Sequence, residues 1–192
     1  MKSLALPLAL ALALPATAAF AAPEKYVLDA SHSQVLFSYN HLGFSTTYNM
    51  FSGFEGEIQF DQTDPANSSV SVSIPVKSLF TGWEARFAHF MADDFFGAED
   101  GDQITFASTD IEVTGENTAK ITGDLTINDI TKPVTLDATM TQSGPNPLNG
   151  KTWVGFNATT VVMRSDYNLG GFAPAVSDEL DVAISIEAGK AE

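Results

Sequence analysis

The strongest constraint on this chain is a hydrophobic alternation with a period of two residues. Val70, Val72 and Ile74 alternate with Ser71 and Ser73. Successive side chains of a strand point to opposite faces, so this alternation is typical of a strand with one buried and one solvated face. The pattern recurs in these segments: 34–39, 54–60, 104–106, 111–113, 121–127, 134–140, 156–162 and 180–186. The sequence predicts about eight to ten short strands.

Turn-forming residues separate these segments. The sequence predicts turns at 64–67, 115–117, 128–129 and 144–147, where Gly, Pro, Asn and Asp cluster. A chain of short strands joined by such turns indicates an all-β protein with antiparallel pairing.

One segment departs from the alternation and predicts a helix over about 82–96. Thr81 and Glu84 have the spacing of a capping box, in which each side chain bonds the backbone N–H of the other residue. Gly97 follows as the expected C-terminal cap. Three apolar side chains lie between them at helical spacing: Phe87, Phe90 and Met91.

Many strands with one helix are compatible with either a sandwich or a closed barrel. Small residues on the predicted inner faces favour a barrel that encloses a cavity, because they leave interior space unfilled. Those small residues are Gly56, Gly123, Ala138 and Ala158.

The N-terminus is typical of a secretory signal peptide. Lys2 precedes an apolar run, and Ala19-Phe20-Ala21 fits a cleavage site of small residues. We therefore predict a signal peptide over 1–21, a single domain over 22–192 and a periplasmic location.

Charge and composition exclude several classes of function. The 24 acidic against 9 basic residues give a net charge of −15, which argues against nucleic acid as a partner and against anionic membrane surfaces. No later segment predicts stable membrane insertion. The absence of cysteine excludes disulfides, thiolate metal sites and a cysteine nucleophile. His89 and Asp93 have a spacing that metal ligands use, but a third ligand is not evident, so no metal site and no cofactor are predicted.

An ordered set of motifs resembles the YceI family of exported bacterial proteins that bind polyisoprenoid lipids. The motifs are Asp29-x-x-His32-Ser33, His41-x-Gly43, Arg86, Asp94-Phe95-Phe96, Thr131-Lys132-Pro133, Arg164-Ser165-Asp166-Tyr167 and Val176-Ser177-Asp178-Glu179. The resemblance implies an eight-stranded antiparallel, lipocalin-like β-barrel with the helix near its opening. It also implies an elongated apolar tunnel for an isoprenoid or similar amphiphile.

The chain departs from that family at three places. Asp129 and Asn168 stand where the family has glycine, and both residue types tolerate positive φ, so we expect the turns to persist. An acidic segment over 97–102 replaces the family's loop after Phe96, and the shape of that loop stays open.

The resemblance also indicates candidate ligand-binding residues. We expect a polar group near the barrel mouth, drawn from His32, His41, Arg86 and Tyr167. The alternatives are a turn partnership of His32 with Asp29, a plain loop position for His41, and structural ion pairs of Arg86 and Arg164 with Asp94 or Asp166. The apolar candidates, for which ordinary core packing is the alternative, are Phe37, Phe44, Phe54, Ile58, Phe87, Phe90, Met91, Phe95, Phe106, Leu125 and Phe156.

The interpretation favoured by these observations is a carrier of a long apolar amphiphile, such as a polyisoprenoid or isoprenoid quinone, with the helix as a lid or end-cap. Lipid transport, storage and envelope stress response are compatible roles. An enzyme acting on an apolar substrate is the first alternative, although no Gly-x-Ser-x-Gly nucleophile motif is present. A barrel filled by its own side chains is the second. The oligomeric state is open, with a homodimer as one alternative.

Overall fold

The alternating segments pair into one antiparallel sheet of 11 strands. The computed structural model describes residues 22–192, so the predicted signal peptide lies outside the described residues. The strands are β1 (Glu24–Leu28), β2 (Gln34–His41), β3 (Ser45–Ser52), β4 (Glu55–Phe60), β5 (Ser69–Pro75), β6 (Leu79–Phe80), β7 (Gln103–Val113), β8 (Thr118–Ile127), β9 (Ile130–Pro145), β10 (Thr152–Met163) and β11 (Glu179–Lys190). The α-helix is α1 (Glu84–Met91), and 3-10 turns lie at Pro65–Asn67, Val76–Ser78 and Arg164–Tyr167.

The sheet closes on itself because β11 pairs with two strands along one edge. Its Asp181–Ser185 segment pairs with β2, and its Ala188–Lys190 segment pairs with β1. The closed ring runs β1-β4-β5-β7-β8-β9-β10-β11, and β2, β3 and β6 extend the sheet beyond β11. The predicted eight-stranded antiparallel barrel is confirmed, and closure leaves the ring without an open edge.

A bulge in β7 explains why its hydrophobic pattern changes phase. Ile104 and Phe106 carry the pattern on even positions, whereas Ile111 and Val113 carry it on odd positions. The register of β7 with β8 shifts between Ser108 and Asp110, and the extra residue returns the apolar side chains to the inner face. The two predicted segments are therefore one strand.

Asn and Asp occupy left-handed backbone positions in two turns. Asn128 and Asp129 have φ of 50° and 60° between β8 and β9, and Asn168 has φ of 61° after the last 3-10 turn. These values confirm that both residue types preserve turns in which glycine was expected. The turn expected at 144–147 begins later, because β9 continues to Pro145 and pairs there with Thr152.

The helix is shorter than the predicted 82–96, and the capping box does not form. The Thr81 hydroxyl accepts from the Trp83 N–H and donates to the Trp83 carbonyl, so it does not reach Glu84. The helix ends at Met91 because Ala92 is extended and Asp93-Asp94 follow, residue types whose side chains favour turns over helix interiors. Gly97 has positive φ, but it closes the following turn rather than the helix. Within residues 22–192, no helix combines the length and the apolar character that a membrane crossing requires.

Two hydrophobic clusters form the core, and both reach the end of the barrel that α1 covers. The main cluster runs through the interior and packs against α1, where the Phe90 ring meets the Tyr39 ring edge-on with centroids 6.4 Å apart. A smaller cluster of Val162, Tyr167 and Leu169 packs against Ile127 at the same end. We call this the helix end. The opposite end of β8, at the turn over 115–118, is the turn end.

Candidate ligand-binding cavity

The barrel encloses a cavity of about 260 Å³. Its wall is built from the inward-facing side chains of the strands, as the two-residue period requires. At the helix end it reaches Ile74, Ile104, Ile127 and Leu180, and at the turn end it reaches the 115–118 turn. The cavity therefore extends along the length of β8.

Six of the predicted apolar residues line this cavity: Phe37, Phe54, Ile58, Phe106, Leu125 and Phe156. Two of these rings contact other aromatic rings of the wall across strands. Phe37 stacks on Phe51 with centroids 5.7 Å apart, and Phe60 meets Phe156 edge-on at 5.8 Å. Aromatic and aliphatic groups in these positions give a surface suited to a hydrocarbon chain.

Phe51 lines the cavity as well, although a strict two-residue alternation through Phe54 would place it on the opposite face. The reason is a break between β3 and β4, where Gly53 has φ of 67°. Positive φ at this glycine reverses the chain, so Phe51 and Phe54 both point inward.

The small inward residues differ in whether they leave open space in the cavity. Ala138 and Ala158 face the cavity and are partners in the β9–β10 register. Gly123 leaves no free space, because the ring of Phe106 lies against it, and a Cβ there would also sit 2.6 Å from the Ala107 carbonyl oxygen. The expectation that Gly123 contributes open volume is therefore wrong, and the alanines contribute it instead.

The predicted residues on and after the helix lie outside the cavity wall. Phe87, Phe90 and Met91 pack against the main cluster from the helix end. Phe95 packs against the smaller cluster and meets the His89 ring at 4.8 Å. Phe44 is 91% exposed in the loop between β2 and β3. The helix thus covers one end of the barrel interior.

His32 lies outside the cavity in a turn at the barrel surface. Its Nδ1 is 2.6 Å from an Asp29 carboxylate oxygen, and Asp29 also accepts from the Ser31 N–H and hydroxyl. This hydrogen bond raises the pKa of His32, and the bonds from Ser31 and His32 lower the pKa of Asp29. Glu187 completes a group whose ligand atoms lie within 4.8 Å of one another. For His32 the structure supports the alternative in which its side chain hydrogen-bonds to Asp29 within the turn.

His41 and Arg86 are also absent from the cavity wall. His41 is an exposed residue at the end of β2, where its backbone bridges to Val176. Arg86 donates to the Thr81 carbonyl at 2.9 Å. The predicted ion pairs are wrong for both arginines, because neither forms one in the described part of the chain.

Arg164 is held by backbone carbonyls instead. It is 7% exposed, and its guanidinium donates to the carbonyl oxygens of Ser177, Leu169, Gly171 and Val176. Burial lowers the pKa of this guanidinium, whereas nearby Asp178 opposes that shift. The residue organises the loop that follows β10.

Tyr167 is buried beside the cavity, in the smaller cluster. Its hydroxyl has no hydrogen-bond partner within residues 22–192, and burial raises its pKa. The backbone carbonyl of the same residue accepts from Asn128. The cluster that contains Tyr167 packs against Leu125, Ile127 and Val182, all of which line the cavity.

Charged side chains are almost excluded from the cavity wall. In the described structure the wall contains no Lys, Arg or His, and its acidic residue is Glu116 at the turn end. The remaining polar positions are Ser68, Ser69, Asn117 and Thr118, near that same end, and Thr160. Most of the wall was not singled out from the sequence residue by residue, but its aliphatic members follow from the alternation of β5, β8, β9 and β11.

The closed antiparallel barrel and its apolar interior define a lipocalin-like barrel, a class in which the interior holds either side chains or one small ligand. The family model of the YceI-like domain matches residues 26–188, and the chain belongs to that family.

Relatives and solved structures agree with this assignment. A UPF0312 protein of Pseudomonas putida (strain W619) is 38% identical over 177 residues, which covers 92% of this chain and 91% of that protein. Protein YceI of Escherichia coli O157:H7 is 37% identical over 172 residues, 90% of this chain and 89% of that protein.

The crystal structure of Burkholderia cenocepacia BcnA matches with a TM-score of 0.75 at 26% identity, over 83% of this chain and 98% of that chain. A polyisoprenoid binding domain from Saccharophagus degradans, implicated in plant cell wall breakdown, matches with a TM-score of 0.67 at 14% identity, over 86% of this chain and 98% of that chain. The second likeness is one of fold.

Proposed function

We propose that this protein binds a long apolar amphiphile, a polyisoprenoid or isoprenoid quinone, inside the barrel and carries or stores it in the periplasm. The observation that carries the proposal is the cavity, whose wall is aliphatic and aromatic along the length of β8. Transfer of hydrocarbon from water contributes about 0.8 kcal/mol per CH₂, so a long chain binds tightly without polar contacts.

Three further observations support binding of an isoprenoid over the alternatives. A protein of the same fold is a polyisoprenoid binding domain. The enzyme alternative needs polar groups that act on a substrate, and the described wall offers only hydroxyls, one amide and Glu116, gathered mainly at the turn end. A cavity of about 260 Å³ also favours a ligand over a barrel filled by its own side chains. The predicted signal peptide supports the periplasmic location, and transport, storage and envelope stress response remain compatible roles.

The test is native mass spectrometry of protein purified from the periplasm without detergent, followed by solvent extraction. We expect a stoichiometric adduct of isoprenoid mass. A clean apo mass, together with no uptake of added long-chain isoprenoids, would contradict the proposal and favour the filled barrel.

A cavity-blocking variant makes this test specific. Ala158 faces the cavity between Ala138 and Ile184 in the sheet register, so A158F places a ring where the chain is proposed to lie. A ring that displaces about four to six ligand carbons costs about 3–5 kcal/mol of binding, more than a hundredfold in affinity. V161F is the matched control, because Val161 is on the same strand but exposed. Equal ligand retention in the two variants would locate the ligand outside the barrel.

A further inference from the structure

The side chain of Asn49 is a buried amide with both of its polar atoms unpaired. Asn49 is 3% exposed, and neither Nδ2 nor Oδ1 has a hydrogen-bond partner within residues 22–192. Buried amides in folded proteins are almost always paired, because an unpaired one loses its hydrogen bonds to water without replacement. A group that can both accept and donate would satisfy this side chain.

The sheet register places this amide beside the cavity. Asn49 is directly opposite Phe37 in the β2–β3 pair, and opposite residues of an antiparallel pair project to the same face. Phe37 and Phe51 both line the cavity, and their rings stack. Asn49 therefore lies on the inner face, next to this ring pair in the register and outside the set of residues that line the cavity.

The position of Asn49 is toward the helix end. Phe37, its partner, also pairs with Val182 of β11, and Val182 contacts the cluster that contains Tyr167. The Tyr167 hydroxyl is a second buried polar group at this end without a partner in the described residues. Both groups are uncharged, and no basic side chain of the described wall is available to bind an anion.

We propose that Asn49 binds the polar end of the ligand, and that this end is a neutral hydroxyl or carbonyl group, as in a polyprenol or a quinone. This inference rests on the proposed function. The ligand then lies with its polar end under α1 and its tail toward the turn end, and its end group reaches the amide by displacing the Phe37 or Phe51 ring. An ionised phosphate end group is disfavoured, because the wall lacks a cation and Glu116 adds negative charge at the other end.

The test compares two ligands that differ only in the end group: geranylgeraniol and the hydrocarbon in which hydrogen replaces its hydroxyl. Affinities come from displacement of a bound apolar dye. We expect the wild-type protein to bind the alcohol about five- to tenfold more tightly than the hydrocarbon, the range expected for one net hydrogen bond. N49L should bind both ligands equally. Q142L is the matched control, since it makes the same replacement on an exposed residue and should keep the difference.

The other possible results distinguish the role of Asn49 from ligand binding by the barrel. Equal affinity of the wild type for both ligands, or a preference that N49L retains and N117L loses, would refute the role of Asn49 and leave the proposed function intact. Failure of the wild type to bind either ligand would refute both. If N49L does not fold, the side-chain amide resonance of Asn49 in ¹⁵N-labelled wild-type protein decides: it should shift with the alcohol and not with the hydrocarbon, and the same shift with both would refute the inference.

Discussion

Arg164 offers a quantitative test of how the loop after β10 is held. Its guanidinium reaches four carbonyl oxygens: Ser177 from Nε at 2.9 Å, Val176 from Nη2 at 3.1 Å, Gly171 from both Nη atoms at 3.2 Å, and Leu169 from Nη1. Lysine has three donors on a single nitrogen and cannot span this set. R164K therefore leaves at least one carbonyl without its partner. Because the four carbonyl oxygens are spread around the guanidinium, we expect two hydrogen bonds to be lost.

The expected cost follows from the strength of these bonds. A hydrogen bond to a charged group contributes about 1.5–3 kcal/mol, so two lost bonds cost about 3–6 kcal/mol of unfolding free energy. Folded domains have about 5–15 kcal/mol in total, so R164K should fold but be markedly weakened.

The assay is urea unfolding at pH 7, followed by tryptophan fluorescence, with limited proteolysis of the 168–178 segment as a local readout. R86K is the control, because Arg86 makes one such bond, to the Thr81 carbonyl, and is only partly buried. Because Arg86 is partly exposed, water can replace a lost partner, so we expect R86K to lose less than about 1.5 kcal/mol. Similar losses in the two variants, or a loss below about 1 kcal/mol in R164K, would refute the reasoning that the carbonyl set stabilises this loop.

Two further predictions concern a surface turn and the barrel wall. The Asp29 hydrogen bond raises the pKa of His32 above its usual 6.5. The His32–Asp29 pair therefore stabilises the folded protein fully below pH 6.5, and this stabilisation is lost as pH rises through the folded-state pKa. H32Q should remove this pH dependence from the urea midpoint, and an NMR titration of His32 at or below 6.5 would contradict the assignment. G123A should lose about 1–3 kcal/mol of stability, because the new methyl group meets the Phe106 ring and the Ala107 carbonyl oxygen. An unchanged thermal unfolding midpoint in G123A would show that the ring moves aside freely.

The strands and turns were predicted well because their signals are local. Strand faces follow from a two-residue period, and the positive φ of Asn128, Asp129 and Asn168 follows from residue type. The helix was less well predicted, since Thr81 and Glu84 have the spacing of a capping box but Thr81 bonds to Trp83 instead. A single spacing match does not determine which of two neighbouring N–H groups a hydroxyl binds.

The residues of the candidate site were likewise predictable only where the sequence carries a local signal. Phe37, Phe54 and Phe156 were expected to contact a ligand and line the cavity, because inward parity is readable in the sequence. Phe44 has no such signal, since it lies in a loop, and the structure leaves it exposed. Asn49 was not singled out at all, because a polar residue at an inward position is indistinguishable by pattern from one at a strand end.

The all-β class, the inner and outer faces of the strands and the apolar character of the barrel interior can be read from the chain alone, since each depends on neighbours within a few residues. The tertiary structure alone decided which strands close the ring, which small residues contribute open volume, and which polar groups are buried without partners. These properties depend on contacts between residues far apart in the chain: Phe106 occupies the space beside Gly123, and the β2–β3 register places Asn49 opposite Phe37, which lines the cavity.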